Sequence, residues 1–349
     1  MKRLLILMLA FSLCAGAVAC SRSDGVELDT SAESSAEDTT ASESKTETEK
    51  ETEADTTDYG KLKIKDVTAW KGYPATEFFP VFEKPEYAEK LDFEYDEKAL
   101  TVDAEKYTVK AIKAGAYTVK VSSEHFSTSF IVNCETVDKT TEKYNINDKY
   151  NAAGRATAFN TKWTQEGNAG STVIFFGDSY LDADNHVPTF YTELYPNKDV
   201  LCFGIGGTSS YHWETLIYTL LKNTAPSAFV INLGTNNVYN KADDTLECAS
   251  ALQRLFVRLH GEFPDVPIYW FDIVQRSYAN DSTRMAYVNA INVKMRDFCA
   301  DRAWITCVEV ADGITSDMLS DNVHVKLEHY NIYTQALANA GLVIPDKRS

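Results

Sequence analysis

The sequence predicts an α/β protein, a parallel sheet covered by helices on both faces and preceded by a smaller all-β unit. Three observations carry this expectation. Five short, continuously apolar runs recur between residues 172 and 308, and stretches with helical apolar spacing separate them. Upstream, residues 60 to about 137 alternate apolar and polar with a period of two. Continuous runs suit strands buried on both faces, alternation suits strands buried on one, and strand–helix repetition gives a parallel sheet.

The chain of 349 residues opens on a processing segment, residues 1–20. Lys2 and Arg3 precede the apolar run Leu4 to Val18, and Ala17-Val18-Ala19-Cys20 closes it. The run is short for a membrane span. Small residues ahead of a cysteine resemble the lipobox of bacterial lipoproteins. That resemblance implies cleavage before Cys20, lipidation of Cys20 and anchoring at the cell surface. An ordinary secretory signal and a short membrane anchor are the alternatives.

Residues 21–58 are mostly Ser, Thr, Glu and Asp, with 13 acids against 3 bases for a net charge of −10. Such a segment cannot bury enough apolar surface to offset its ordering entropy, so it reads as a disordered, self-repelling tether. The whole chain carries −17, and with −10 here and +2 from Lys2 and Arg3 in residues 1–20, −9 is left for the folded part. That charge argues against nucleic acid as a partner.

The all-β unit spans 59–137 and contains Val67-Thr68-Ala69-Trp70 with Lys71-Gly72 after it. Tyr107, Val109 and Ala111 alternate with polar neighbours, as do Tyr117, Val119 and Val121. Ala114-Gly115 lies between them as a turn signal, so the two runs are expected to pair as a hairpin. Phe126 to Val132 adds another strand. Together with Val102-Asp103, these segments resemble the bacterial Ig-like domain of group 2. The resemblance implies a β-sandwich, serving as a spacer or as an adhesive, carbohydrate-binding unit.

The second unit, 150–345, has strand candidates at Thr172–Phe176, Val200–Phe203, Ala228–Leu233, Ile268–Ile273 and Trp304–Val308. Leu246, Leu252, Leu255, Phe256 and Leu259 mark one helix after the capping pair Asp243-Asp244. Met285, Val288, Ile291, Met295 and Phe298 mark a second, and Leu327, Tyr330, Tyr333 and Leu337 a last one. In parallel sheets reactive groups gather at the carboxyl ends of the strands.

The cysteines suggest no metal or redox motif. Cys134, Cys202, Cys248, Cys299 and Cys307 remain once Cys14 and Cys20 are set aside, and their spacings fit no zinc pattern. Cys202 reads as a small hydrophobe, and Cys299 with Cys307 is a candidate disulfide. His125, His186 and His260 are scattered without ligand spacing. No cofactor is expected.

Chemistry concentrates where strands end. Gly177-Asp178-Ser179 follows the first run, Gly204-Ile205-Gly206-Gly207-Thr208 the second, and Gly234-Thr235-Asn236-Asn237 the third. Asp321-Asn322-Val323-His324 lies near the C-terminus. A serine hydroxyl needs a base to take its proton and a third group to hold that base, and Ser179, His324 and Asp321 supply the three parts. Glycines admit backbone N–H groups close to a ligand, and an asparagine amide adds a neutral donor for a developing oxyanion. Asp178 reads as a structural carboxylate. Tyr211-His212-Trp213 either rim the cleft for sugar stacking or cap and pack a helix.

These four blocks, in order, resemble the SGNH (GDSL-type) hydrolases. The resemblance implies a three-layer α/β/α, flavodoxin-like fold with a five-stranded parallel sheet. It makes Ser179 the nucleophile, Asp321 and His324 its partners, and Ser179 N–H, Gly204 and Asn236 the oxyanion hole. Departures are Asn237 where many members carry aspartate, His329 in place of a common glycine, and Cys202 in place of a common asparagine. The function expected is an extracellular serine esterase removing O-acetyl or other small acyl groups from a polysaccharide. Lipase or lysophospholipase, O-acyltransferase and non-catalytic glycan-binding adhesin are the alternatives.

Overall fold

Alternating residues after the tether become nine short strands in the computed structural model, which describes residues 57–146, 151–165, 170–182, 194–240, 245–274 and 281–347. The signal segment, Cys20, most of the tether, Asp243, Asp244 and His186 lie outside the described residues. Strands β1 (Leu62–Lys63) and β4 (Val81–Phe82) form a small antiparallel pair. One sheet has the order β2 (Val67–Trp70), β9 (Ser127–Glu135), β8 (Gly115–Ser122), β5 (Asp92–Glu94). The other has the order β3 (Thr76–Glu77), β7 (Thr108–Ala111), β6 (Leu100–Asp103). Val109 and Leu100 from the second sheet meet Val119, Val121, Phe130 and Val132 from the first in one apolar core.

The expected hairpin of β7 with β8 does not form. β7 pairs with β6 and β3, whereas β8 pairs with β9 and β5. Both strands carry one buried face, and passing the chain from one sheet to the other at 112–114 lets both faces close on the same core. Period-two patterning reports that a face is buried and not which strand lies beside it.

The apolar runs of the second unit form a five-stranded parallel sheet in the order β11 (Val200–Gly204), β10 (Val173–Gly177), β12 (Ala228–Asn232), β13 (Ile268–Phe271), β14 (Ile305–Val308). Every residue of β10 and β12 is buried, as their unbroken apolar character requires. On one face Ile174, Phe176, Phe229, Ile231 and Trp270 pack against helices α1 (Ala152–Gln165), α2 (Ser210–Leu221), α4 (Thr245–Glu262) and α5 (Ser282–Ala300). The short α3 (Thr235–Asn240) precedes α4. On the opposite face Val173, Phe175, Val230 and Phe271 pack against α6 (Asn331–Asn339). Among the described residues no helix is long and apolar enough to cross a membrane.

Three details depart from the sequence reading. Leu246 is 63% exposed, and the buried stripe of α4 runs through Cys248, Leu252, Leu255, Phe256 and Leu259. The last helix is interrupted: Leu327–His329 forms a single 3-10 turn, and α6 begins only at Asn331. Cys299 and Cys307 are both free thiols.

The β-region is not a bead on a string. Residues Thr57–Ser349 form one compact unit, and Trp70 and Tyr73 belong to the core cluster of the α/β layer. Around that junction lies a buried ionic group. Glu214 of α2 accepts a hydrogen bond from the Tyr73 hydroxyl and pairs with Arg254 of α4 at 3.3 Å, with Glu214 and Arg254 at 0% and 1% side-chain exposure. Arg254 also donates to Tyr144 at 2.9 Å, and the Arg258 guanidinium lies over the Tyr73 ring at 4.5 Å. A buried charge survives only when paired and hydrogen-bonded, and this one is met from both regions of the chain.

Candidate active site

Ser179 stands where the central strand β10 stops. Asp178 N–H extends the ladder to Asn232 O at 3.1 Å, and the Asp178 carboxylate then accepts the Tyr180 N–H at 3.2 Å. That bond caps the one-turn 3-10 helix Ser179–Leu181 and turns the chain off the sheet. Asp178 is fully buried, and burial pushes its carboxyl up to about 7 against the partial offset of backbone hydrogen bonds.

The base arrives on a self-made turn after β14. Leu319 and Val325 form a bridge, Ser320 N–H reaches His324 O at 2.8 Å, and Asn322 adopts a left-handed conformation at φ +65°. Asparagine tolerates that region better than most residues. One oxygen of Asp321 builds the turn, accepting Val323 N–H at 3.1 Å and His324 N–H at 2.7 Å. Its other oxygen meets His324 Nδ1 at 2.7 Å, and His324 Nε2 lies 2.8 Å from Ser179 Oγ. An ionised carboxylate only accepts, so Nδ1 carries the proton and Nε2 is left to accept from the serine hydroxyl. Burial raises the Asp321 pKa somewhat, but the hydrogen bonds from His324 outweigh it and leave the carboxyl below its ordinary value. The structure thus brings Ser179, His324 and Asp321 into one hydrogen-bonded line at the carboxyl end of the sheet.

Asn236 lies in the first turn of α3, after β12. Its Nδ2 donates to Thr208 O at 2.9 Å and has a longer contact, 3.5 Å, to Asp178 Oδ2. The neighbouring Asn237 accepts Ser210 N–H at 2.9 Å and donates to Ser210 Oγ at 2.7 Å, which ties the Asn236 turn to the first residue of α2. His212 Nδ1 accepts the Ser209 N–H at 3.0 Å, while Tyr211 and Trp213 are 2% and 0% exposed. Of the two readings of this tripeptide, capping and packing is the one the structure adopts.

Gly204 has a different part from the one expected. Ile205 N–H bonds to Gly177 O in the ladder, so the alternation of a parallel pair turns the Gly204 N–H and C=O away from β10. Its carbonyl accepts from Arg155 at 3.0 Å. A Cβ at Gly204 would stand 2.1 Å from the Leu181 backbone, so glycine is required there for chain crossing. The next turn is the one near the nucleophile, since a Cβ on Gly206 would lie 3.7 Å from the Ser179 Cβ. Gly206 N–H is held by Asp182 Oδ2 at 2.8 Å. The N–H groups of Gly207 (φ +76°) and Ser179 make no hydrogen bond among the described residues. The sequence showed that a Gly-rich turn follows β11, and the direction of each N–H depends on register, which sequence does not carry.

Two supports were not singled out from the sequence. Asp182, fully buried, joins Arg155 at 2.9 Å to the Gly206 turn. Asp272, at the end of β13, accepts Val310 N–H at 2.8 Å and Ala311 N–H at 2.9 Å while pairing with Arg296. Both carboxylates sit just beyond short structured segments, and nothing in the local sequence separates them from other loop acids.

No family model and no curated protein matches the sequence. Among solved structures the chain is similar to a GDSL-like lipase from Bacteroides thetaiotaomicron, with 15% identity over 53% of this chain and 97% of that one at a TM-score of 0.43. It is similar to a member of the lipolytic G-D-S-L family from Veillonella parvula, with 15% identity over 48% and 96% at a TM-score of 0.41. A family 3 carbohydrate esterase from Clostridium thermocellum gives 16% identity over 48% and 96% at a TM-score of 0.40. Likeness of this degree does not assign the chain to a family.

Proposed function

We propose that the protein is a serine esterase of the SGNH type that works through an acyl-enzyme. The observation that supports this reading is the continuous Ser179–His324–Asp321 hydrogen-bond line at 2.8 Å and 2.7 Å. In the proposed cycle Ser179 Oγ attacks an ester carbonyl as its proton passes to His324 Nε2, and Asp321 stabilises the imidazolium. The protonated Nε2 then gives that proton to the departing alcohol. Water, deprotonated by the same nitrogen, releases the acid. The oxyanion is met by Ser179 N–H, by the Asn236 amide hydrogen held only through the 3.5 Å contact to Asp178, and by Gly207 N–H in place of Gly204. No step requires a cofactor.

For the substrate we favour O-acetyl or other small acyl groups on a polysaccharide. The lipobox-like Cys20, the acidic tether and the β-region support work on an extracellular polymer by a protein anchored to the cell membrane through its N-terminal lipid. The same residues would serve a lipase or an O-acyltransferase, and the β-region would serve a glycan-binding adhesin.

The test is hydrolysis of p-nitrophenyl acetate, butyrate and octanoate by the protein beside Ser179→Ala. Acetate turnover lost in the variant is expected. Preference for octanoate would move the substrate to lipids. Folded protein with no turnover of any ester would contradict the hydrolase.

A further inference from the structure

We infer that the Tyr180 hydroxyl is a positioning group for the base, holding the His324 turn in register with Ser179. This rests on the esterase reading and goes beyond the triad. The turn from Leu319 to Val325 is closed by bonds among its own residues, namely the Leu319–Val325 bridge, Ser320 to His324 O, and Asp321 to the Val323 and His324 N–H groups. Those bonds give the turn its shape, but they do not fix it against the sheet that carries the nucleophile. Leu319 and Val325 pack in one apolar cluster with the sheet residues Val173 and Phe175, and among the described residues two hydrogen bonds set the turn against the Ser179 segment. One is the reactive contact of His324 Nε2 with Ser179 Oγ, which must break and re-form in each cycle. The other is donated by the Tyr180 hydroxyl to the carbonyl of Val323, the residue immediately before the base.

Tyr180 is well placed for this. It is the residue after the nucleophile, on the rigid 3-10 turn Ser179–Leu181, and only 1% exposed. Its ring packs in the core cluster with Val325, Tyr330 and Tyr333 and lies 5.6 Å from the His324 ring, tilted by 51°. Its own carbonyl is pinned by the Tyr330 hydroxyl at 3.2 Å. Tyr180 therefore references the base directly to the nucleophile's own turn, through a side chain buried in the core cluster. Reacting groups must be held to a fraction of an ångström, and a misplacement of about 1 Å costs on the order of 10²-fold in rate.

The test compares the protein with Tyr180→Phe, Tyr333→Phe and Ser179→Ala, measuring kcat per titrated active site, KM for p-nitrophenyl acetate, and thermal unfolding. Phenylalanine keeps the ring and the backbone donors of the Ser179 turn and removes only the hydroxyl. Tyr333 supplies the control, because its hydroxyl is buried in the same cluster with no partner among the described residues. The inference expects kcat to fall between about 10- and 100-fold in Tyr180→Phe, with KM within about twofold. Tyr333→Phe should match the parent in both constants. Unchanged kcat per site in Tyr180→Phe, or an equal loss in Tyr333→Phe, would overturn the positioning role and leave the esterase standing. Equal turnover by the parent and Ser179→Ala would overturn the esterase reading and the inference with it.

Discussion

Asp178 makes the stability of this protein depend on pH in a direction opposite to that of most carboxylates. The residue is fully buried, and burial pushes its carboxyl up to about 7 from an ordinary value of 3.8. The folded state therefore binds this proton more tightly than the unfolded chain does. Its contribution is fully present below about pH 4 and is lost as pH rises toward 7. At about 1.4 kcal/mol per pH unit, roughly 3 kcal/mol of stability disappears between pH 5 and pH 8 on this account alone. Asp178→Asn keeps an oxygen for the Tyr180 N–H and has no proton to lose. The difference in unfolding free energy between variant and parent, from urea titrations at pH 5, 6, 7 and 8, should thus shift in favour of the variant by about 3 kcal/mol across that range. Taking the difference cancels every group common to both proteins. A difference that stays constant within about 0.5 kcal/mol from pH 5 to pH 8 would refute the reasoning.

Other perturbations separate chemistry from architecture. His324→Ala should lose several orders of magnitude in kcat for p-nitrophenyl acetate while the unfolding midpoint stays within a few degrees, and retained turnover would remove it as the base. Asn236→Ala should cost about 10²–10³ in kcat if its amide faces the oxyanion, read by the same assay. Glu214→Ala removes the fully buried carboxylate from Arg254, which keeps only the partly exposed Glu247 carboxylate at 3.2 Å, and should destabilise the fold by about 3 kcal/mol in urea unfolding. A change under about 1 kcal/mol would mean that this junction contributes little. Tyr333→Phe removes a buried hydroxyl with no partner among the described residues and should raise stability by about 1 kcal/mol in the same urea titration.

The parts of the fold legible in the sequence are those fixed by local pattern. Unbroken apolar runs gave the five parallel strands to within a residue or two, because a strand covered on both faces has no polar position to confuse the reading. Ser179, Asn236, Asp321 and His324 could be named because each follows a strand end or sits in a short motif. What depended on register or on distant partners was not legible. The sheet that β7 joins, the N–H direction at Gly204 and the buried meeting of Tyr73 with Glu214 across 141 residues are of this kind. Helix α1 carries little signal in the sequence because its buried face is small, Ala152 and Ala156 with a single Trp163. Tyr180 directly follows the nucleophile in sequence, but the carbonyl it holds lies 143 positions away.

The most direct test of the account is covalent. A fluorophosphonate reacts with a serine only where a base activates its hydroxyl, so intact-mass and peptide analysis after labelling reads the Ser179–His324 contact without choosing a substrate. The account predicts one phosphonyl group per chain, carried by the peptide containing Ser179, and its loss in His324→Ala. Folded protein that stays unlabelled, or a label on another serine that survives Ser179→Ala, would contradict it.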